Sequence, residues 1–89
     1  MMINVTEVSR CNSHGTDYVF VTMEAGKHEA CVIVASGVSP HVNVTVKNAA
    51  QRCWKGLGRR FSDAASAVAA YKTDAIRRMI ETACEIAAA

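Results

Sequence analysis

Aromatic side chains are scarce in this chain, with two Phe, two Tyr and one Trp among 89 residues. A core built around large rings is therefore excluded, and Ala and Val must fill it instead. Proline occurs once and glycine five times, which excludes collagen-like, polyproline and Gly-rich linker character. No apolar run approaches the ~18 residues that a membrane-spanning helix needs. The opening stretch, MMINVTEVSR, lacks the basic and apolar regions of a signal peptide and reads directly as a strand. A cytoplasmic protein is expected, with Cys11, Cys31, Cys53 and Cys84 reduced. Acidic residues are missing between Glu29 and Asp63. Phosphate-cradling motifs are missing too: neither G-x-x-x-x-G-K-[ST] nor G-x-G-x-x-G is present.

The chain itself is 51% hydrophobic and 20% charged, with a formal net charge of +2. Such a composition folds, as a single domain over residues 1–89. The charge is too mild to imply nucleic acid by itself, so its distribution matters more than its total.

Periodicity divides the chain into a sheet region (1–47), a basic connector (48–61) and a helix pair (62–89). Ile3–Val8 begins with β-branched alternation and reads as a strand. CNSHGTD supplies a loop. Tyr18–Met23 carries apolar side chains on both faces, the mark of a central strand. EAGK turns the chain into a third strand, His28–Ala35. HVNVTVK is strictly period two, with Val42, Val44 and Val46 on one face and Asn43, Thr45 and Lys47 on the other. After the connector, Ser62 is the expected N-cap of a first helix and Thr73 that of a second. Ile76, Met79, Ile80, Ala83, Cys84 and Ala87 form a helical stripe that should lie across the valine face. The expected fold is α+β: a four-stranded antiparallel sheet (β-β-β-β), then two C-terminal helices packed on one face.

Chemistry is harder to find. Cys11, His14, His28 and Cys31 have the count of a Cys2His2 zinc set. His28 and Cys31, however, stand three apart on a strand and so face opposite ways. They read as two exposed histidines and a small buried thiol, and no metal or cofactor is expected. Cys53 has charged neighbours but no adjacent base, although His41 could approach it in space. Cys84 lies on the apolar stripe. No nucleophile, base and orienting group come together, so the chain is not expected to be an enzyme.

The remaining candidate is QRCWKGLGRRF (51–61), with four of the ten basic residues and the only Trp. Lys47, Arg52, Trp54, Lys55, Arg59 and Arg60 form the expected partner-binding set, because Trp and Arg dominate interface hot spots. Trp54, Leu57 and Phe61 could equally plug the junction between sheet and helices. The leading expectation is a small non-enzymatic domain that acts by occupying the surface of a protein partner. In size and in its lack of catalytic chemistry the chain is similar to small inhibitors of phages and mobile elements, anti-CRISPR proteins among them. The alternative is a nucleic-acid-binding module using the basic 47–60 region. A homodimer through edge strand one or four, or through the Ala-rich helices, is also expected to be feasible.

Overall fold

A computed structural model describes residues 2–48 and 58–89. The architecture is α+β, as expected, but the sheet has five strands instead of four. The elements run β1 (Asn4–Ser13), β2 (Thr16–Ala25), β3 (His28–Gly37), β4 (His41–Asn48), β5 (Arg59–Phe61), α1 (Ala64–Ala69) and α2 (Asp74–Ala88). Spatial order follows sequence order, and every neighbouring pair is antiparallel.

The first strand runs well past the expected Val8. The loop expected at CNSHGTD shrinks to His14 and Gly15, with Cys11–Ser13 and Thr16–Asp17 drawn into the ladder. Small polar residues there signalled a turn, but a two-residue turn with His14 at a φ of 52° suffices. The first helix is also shifted. Asp63, not Ser62, is the N-cap, and its Oδ1 accepts the Ser66 backbone N–H at 2.7 Å. Thr73 does occupy the second N-cap position, without a side-chain hydrogen bond. One turn into α2, Arg78 pairs with Asp74 at 2.9 Å.

The core lies on one side of the sheet. Val19, Val21 and Met23 of β2, Val32 of β3, and Val42 and Val44 of β4 are buried there. Above them lie Ile76, Met79, Ile80 and Ala83 of α2, the stripe anticipated from spacing, with Cys84 and Ala87 at its margin. Full burial of each aliphatic or Met side chain contributes about 1.5–3 kcal/mol. α2 packs on β3 and β2, and α1 on β4 and β5. Within α2, Ala75 and Ala83 are buried, Ala87 is half-buried and Ala88 is exposed. Strand β4 is paired with β5 along Val42–Val44. β1 remains an edge, and all ten of its residues are exposed. Its link to the helix layer is Arg10, whose Nη2 donates to the Ile86 carbonyl at 3.1 Å near the end of α2. Among the described residues no helix is long and apolar enough to cross a membrane.

Candidate interaction surface

Among the described residues both helices lie on one side of this sheet, and no described element covers the other, called the open face below. Register fixes what it displays, because residues opposite each other in antiparallel strands share a face. One row runs Cys11, Tyr18, Ala35, His41. The next runs Ser9, Phe20, Ile33, Asn43, Arg60. Then come Glu7, Thr22, Cys31, Thr45, and finally Asn4, Glu24, Glu29, Lys47.

The centre of this face is apolar and aromatic. Tyr18 and Phe20, two apart on β2, have ring centroids 6.4 Å apart. Tyr18 also meets the His41 ring edge-on at 6.1 Å. Those two rings close over Ala35, which explains why a residue on the uncovered side is only 5% exposed. His41 is held by its Nδ1, 2.8 Å from the Ser39 carbonyl. Beside the rings lies a shallow groove of about 290 Å3, lined by Glu7, Ser9, Phe20, Thr22 and Cys31. Cys31, expected in the core, is therefore half-buried on the open side.

Charges rim this centre. Glu7 and Glu24 lie on β1 and β2; Lys47 and Arg60 lie on β4 and β5. Glu29 on β3 is bridged to Lys47 at 3.1 Å. Asn4 Nδ2 donates to Glu24 at 3.0 Å.

Of the basic set expected to act together, the three described members, Lys47, Arg59 and Arg60, point to different places. Lys47 is ion-paired, and its side chain is only 16% exposed. Arg59 and Arg60 are consecutive on β5 and so point to opposite sides of the sheet. Arg60 is on the open face, its Nη2 donating to Ser39 Oγ at 3.4 Å. Arg59 is on the helix side, its guanidinium carbon 5.1 Å from the Phe61 ring centroid and 5.6 Å from that of Tyr71. Burial pushes the Tyr71 hydroxyl above its ordinary pKa, and the Arg59 charge works against that rise. Phe61 packs half-buried against the core, the junction plug anticipated for it. Arg52, Trp54 and Lys55, with Cys53 and Leu57, lie outside the described residues.

The other candidates separate as well. Cys11 and His14 sit at one end of β2, His28 at the other. A ten-residue strand spans about 33 Å, so the side chains of Cys11, His14, His28 and Cys31 cannot converge on one ion. Among the described residues no group of three or more His, Cys, Asp or Glu side chains is placed to hold a metal. Burial, reinforced by the charges of Glu81 and Glu85, pushes the Cys84 thiol up, which leaves it a thiol and a poor nucleophile at neutral pH.

Sequence reasoning overlooked Tyr18, Phe20, Ile33 and His41 as surface. The signal was present: Tyr18–Met23 is apolar on both faces, yet two short helices can cover only one. No known protein family, characterised protein or solved structure matches this chain.

Proposed function

We propose that this chain is a non-enzymatic protein-binding domain whose working surface is the open face of its sheet. The observation that carries this reading is the arrangement of that face. An apolar, aromatic centre at Tyr18, Phe20 and Ile33 is ringed by charged and polar side chains. Protein interfaces have this anatomy, with an aromatic-rich core inside a polar rim. Size supports it. Strands β1 to β4, of eight to ten residues each, with the three-residue β5 beside them, present on the order of 600 Å2 at a spacing of about 4.8 Å, close to the ~800 Å2 that one partner contributes to a standard interface.

The charge layout states what the partner must offer. It carries an apolar patch for Phe20 and Ile33, a cation toward Glu7 and Glu24, and a carboxylate toward Arg60. A role as an inhibitor that occupies a partner's surface is consistent with such a face, and nothing in it calls for catalysis.

The nucleic-acid alternative would draw on Lys47, Arg52, Lys55, Arg59 and Arg60. Of those described, Lys47 is engaged by Glu29 and Arg59 faces the helices. The strand positions of the open face carry three carboxylates against two cations, a poor counterpart for a phosphate chain. The discriminating experiment is capture from a lysate at two salt concentrations, with and without nuclease. A discrete protein that persists through nuclease and moderate salt is expected. Recovery of nucleic acid, with binding that falls linearly in log salt, would refute the reading.

A further inference from the structure

β1 is a sheet edge whose outer backbone groups have no partner among the described residues: it pairs with β2 alone. The turn between those strands fixes which groups these are. His14 and Gly15 have φ of 52° and 81°, the two positive values of a type I′ hairpin. Ser13 and Thr16 flank that turn and so form a hydrogen-bonded pair, after which bonded and non-bonded pairs alternate. Val8, Arg10 and Asn12 therefore aim N–H and C=O away from β2. Natural edges are blunted by Pro, Lys, bulges or shortness. β1 has a bulge between Val5 and Glu7, but from Glu7 to Ser13 it is regular and carries no Pro or Lys. A second feature coincides with this row. Val5 and Val8 lie opposite Met23 and Val21, on the core side, yet remain 37% and 44% exposed while both of those partners are fully buried. α2 packs on β2 and β3, so the apolar floor runs one strand farther than the helix above it.

We infer that the β1 edge receives an extended segment of another protein as an added antiparallel strand. Pairing with the outward N–H and C=O groups supplies affinity, and three side chains supply selectivity. Residues directly opposite each other share a face, with Cβ atoms about 4.5–5.5 Å apart. The residue opposite Val8 falls on the core side and, being apolar, covers the exposed valine. The residue opposite Glu7 falls on the open face and carries a cation. The residue opposite Arg10 falls on the core side, where a carboxylate meets the guanidinium that already reaches the Ile86 carbonyl. Read from its own N-terminus, the incoming segment is thus acid, any residue, apolar, base. A second copy of β1 fits this edge less well. Laying Glu7–Ser13 antiparallel on itself centres on Arg10 and sets two guanidinium groups side by side, and every shifted register pairs a shorter stretch. The inference goes beyond the reading of the open face, because what the partner meets here is the strand's own backbone.

The probe is a capped synthetic peptide, Thr-Thr-Glu-Thr-Val-Lys-Thr-Thr, with a control in which its Glu and Lys are exchanged. Titration into the whole isotope-labelled chain, followed by amide hydrogen exchange, reads both affinity and place. The peptide should slow exchange at the Val8, Arg10 and Asn12 amides, and the control should bind about tenfold more weakly. Glu7→Lys combined with Arg10→Glu should invert that preference. Val8→Pro removes an outward donor that β2 does not use, so the fold, checked by circular dichroism, should survive while binding falls about tenfold or more. Asn12→Pro stands in if Val8→Pro does not fold. No slowing at the three amides with ~2 mM peptide would overturn the inference. So would equal affinity for the two peptides, or a peptide-free dimer in sedimentation equilibrium that Val8→Pro dissociates, which would give the edge to a second copy. Ile33→Glu should leave peptide binding unchanged, so failure at this edge and failure of the open-face reading are distinguishable.

Discussion

Gly58 is the most stringent point at which to test the sheet edge that carries Arg60. Its φ is +82°, and a Cβ built there would meet the Thr45 hydroxyl, the Asn43 Oδ1 at 2.5 Å and the Val44 carbonyl oxygen at 2.7 Å. Two costs therefore combine in Gly58→Ala. Left-handed backbone costs an L-residue about 1–2 kcal/mol. The contacts add a second cost, because the Val44 carbonyl is part of the β4 backbone and cannot rotate away as a side chain could. Forced displacement of well-packed groups costs about 1–3 kcal/mol, so the total with the backbone share should be about 2–5 kcal/mol. Gly26→Ala supplies the control: its φ is +61° but nothing lies within 4 Å of the added Cβ. That change should cost only the backbone share, about 1–2 kcal/mol. Urea unfolding of both variants, read by circular dichroism with a common m-value, measures the difference directly. Equal losses for the two variants would refute the close approach of Gly58 to β4.

Four further outcomes are expected. Ile80→Ala removes a fully buried side chain beneath the sheet and should cost about 2–5 kcal/mol in the same urea assay. Arg59→Ala should destabilise by about 0.5–1 kcal/mol through loss of its stacking on Phe61 and Tyr71, whereas Arg60→Ala should leave stability unchanged. Asp63, whose carboxylate accepts the Ser66 N–H, is held below its ordinary value of 3.8. Its folded pKa being lowered, the contribution is complete above 3.8 and disappears as pH falls through the lower folded value, so Asp63→Ala should be less stable than the parent at pH 6, with the gap closing as Asp63 of the parent becomes protonated, as thermal melts across pH would reveal. Alkylation followed by mass spectrometry at pH 8 should modify exposed Cys11 well before Cys84, whose thiol is pushed up by burial and by Glu81 and Glu85.

Where a segment obeyed one period throughout, its structure was legible. HVNVTVK alternates without exception and became β4, valines inward; Ile76, Met79, Ile80 and Ala83 repeat at helical spacing and became the buried stripe of α2. Strand β5 was not legible, because Arg59–Phe61 has no alternation and is short. Its conformation is set by pairing with Val42–Val44 and by the close approach of Gly58, neither of which is local. The extension of β1 through SRCNS is of the same kind, a ladder imposed by β2 on residues with weak strand preference. The described members of the basic set diverge for a related reason. A run of like charges suggests one patch only while the backbone between them is undefined; once Arg59 and Arg60 are strand neighbours, period two sends them to opposite sides. Tyr18 and Phe20 drew less notice because apolar residues on a strand are ordinarily core. Counting the helices available to cover two faces would have singled them out.

The central claim, that the open face of the sheet is the working surface, is tested most directly by parallel capture with three proteins. These are the unmodified chain, Ile33→Glu on the open face, and Glu85→Arg on the exposed side of α2, each verified as folded. The same protein partner should be retained by the unmodified chain and Glu85→Arg and lost by Ile33→Glu. Retention by Ile33→Glu together with loss by Glu85→Arg would contradict it and move the working surface to the helix layer.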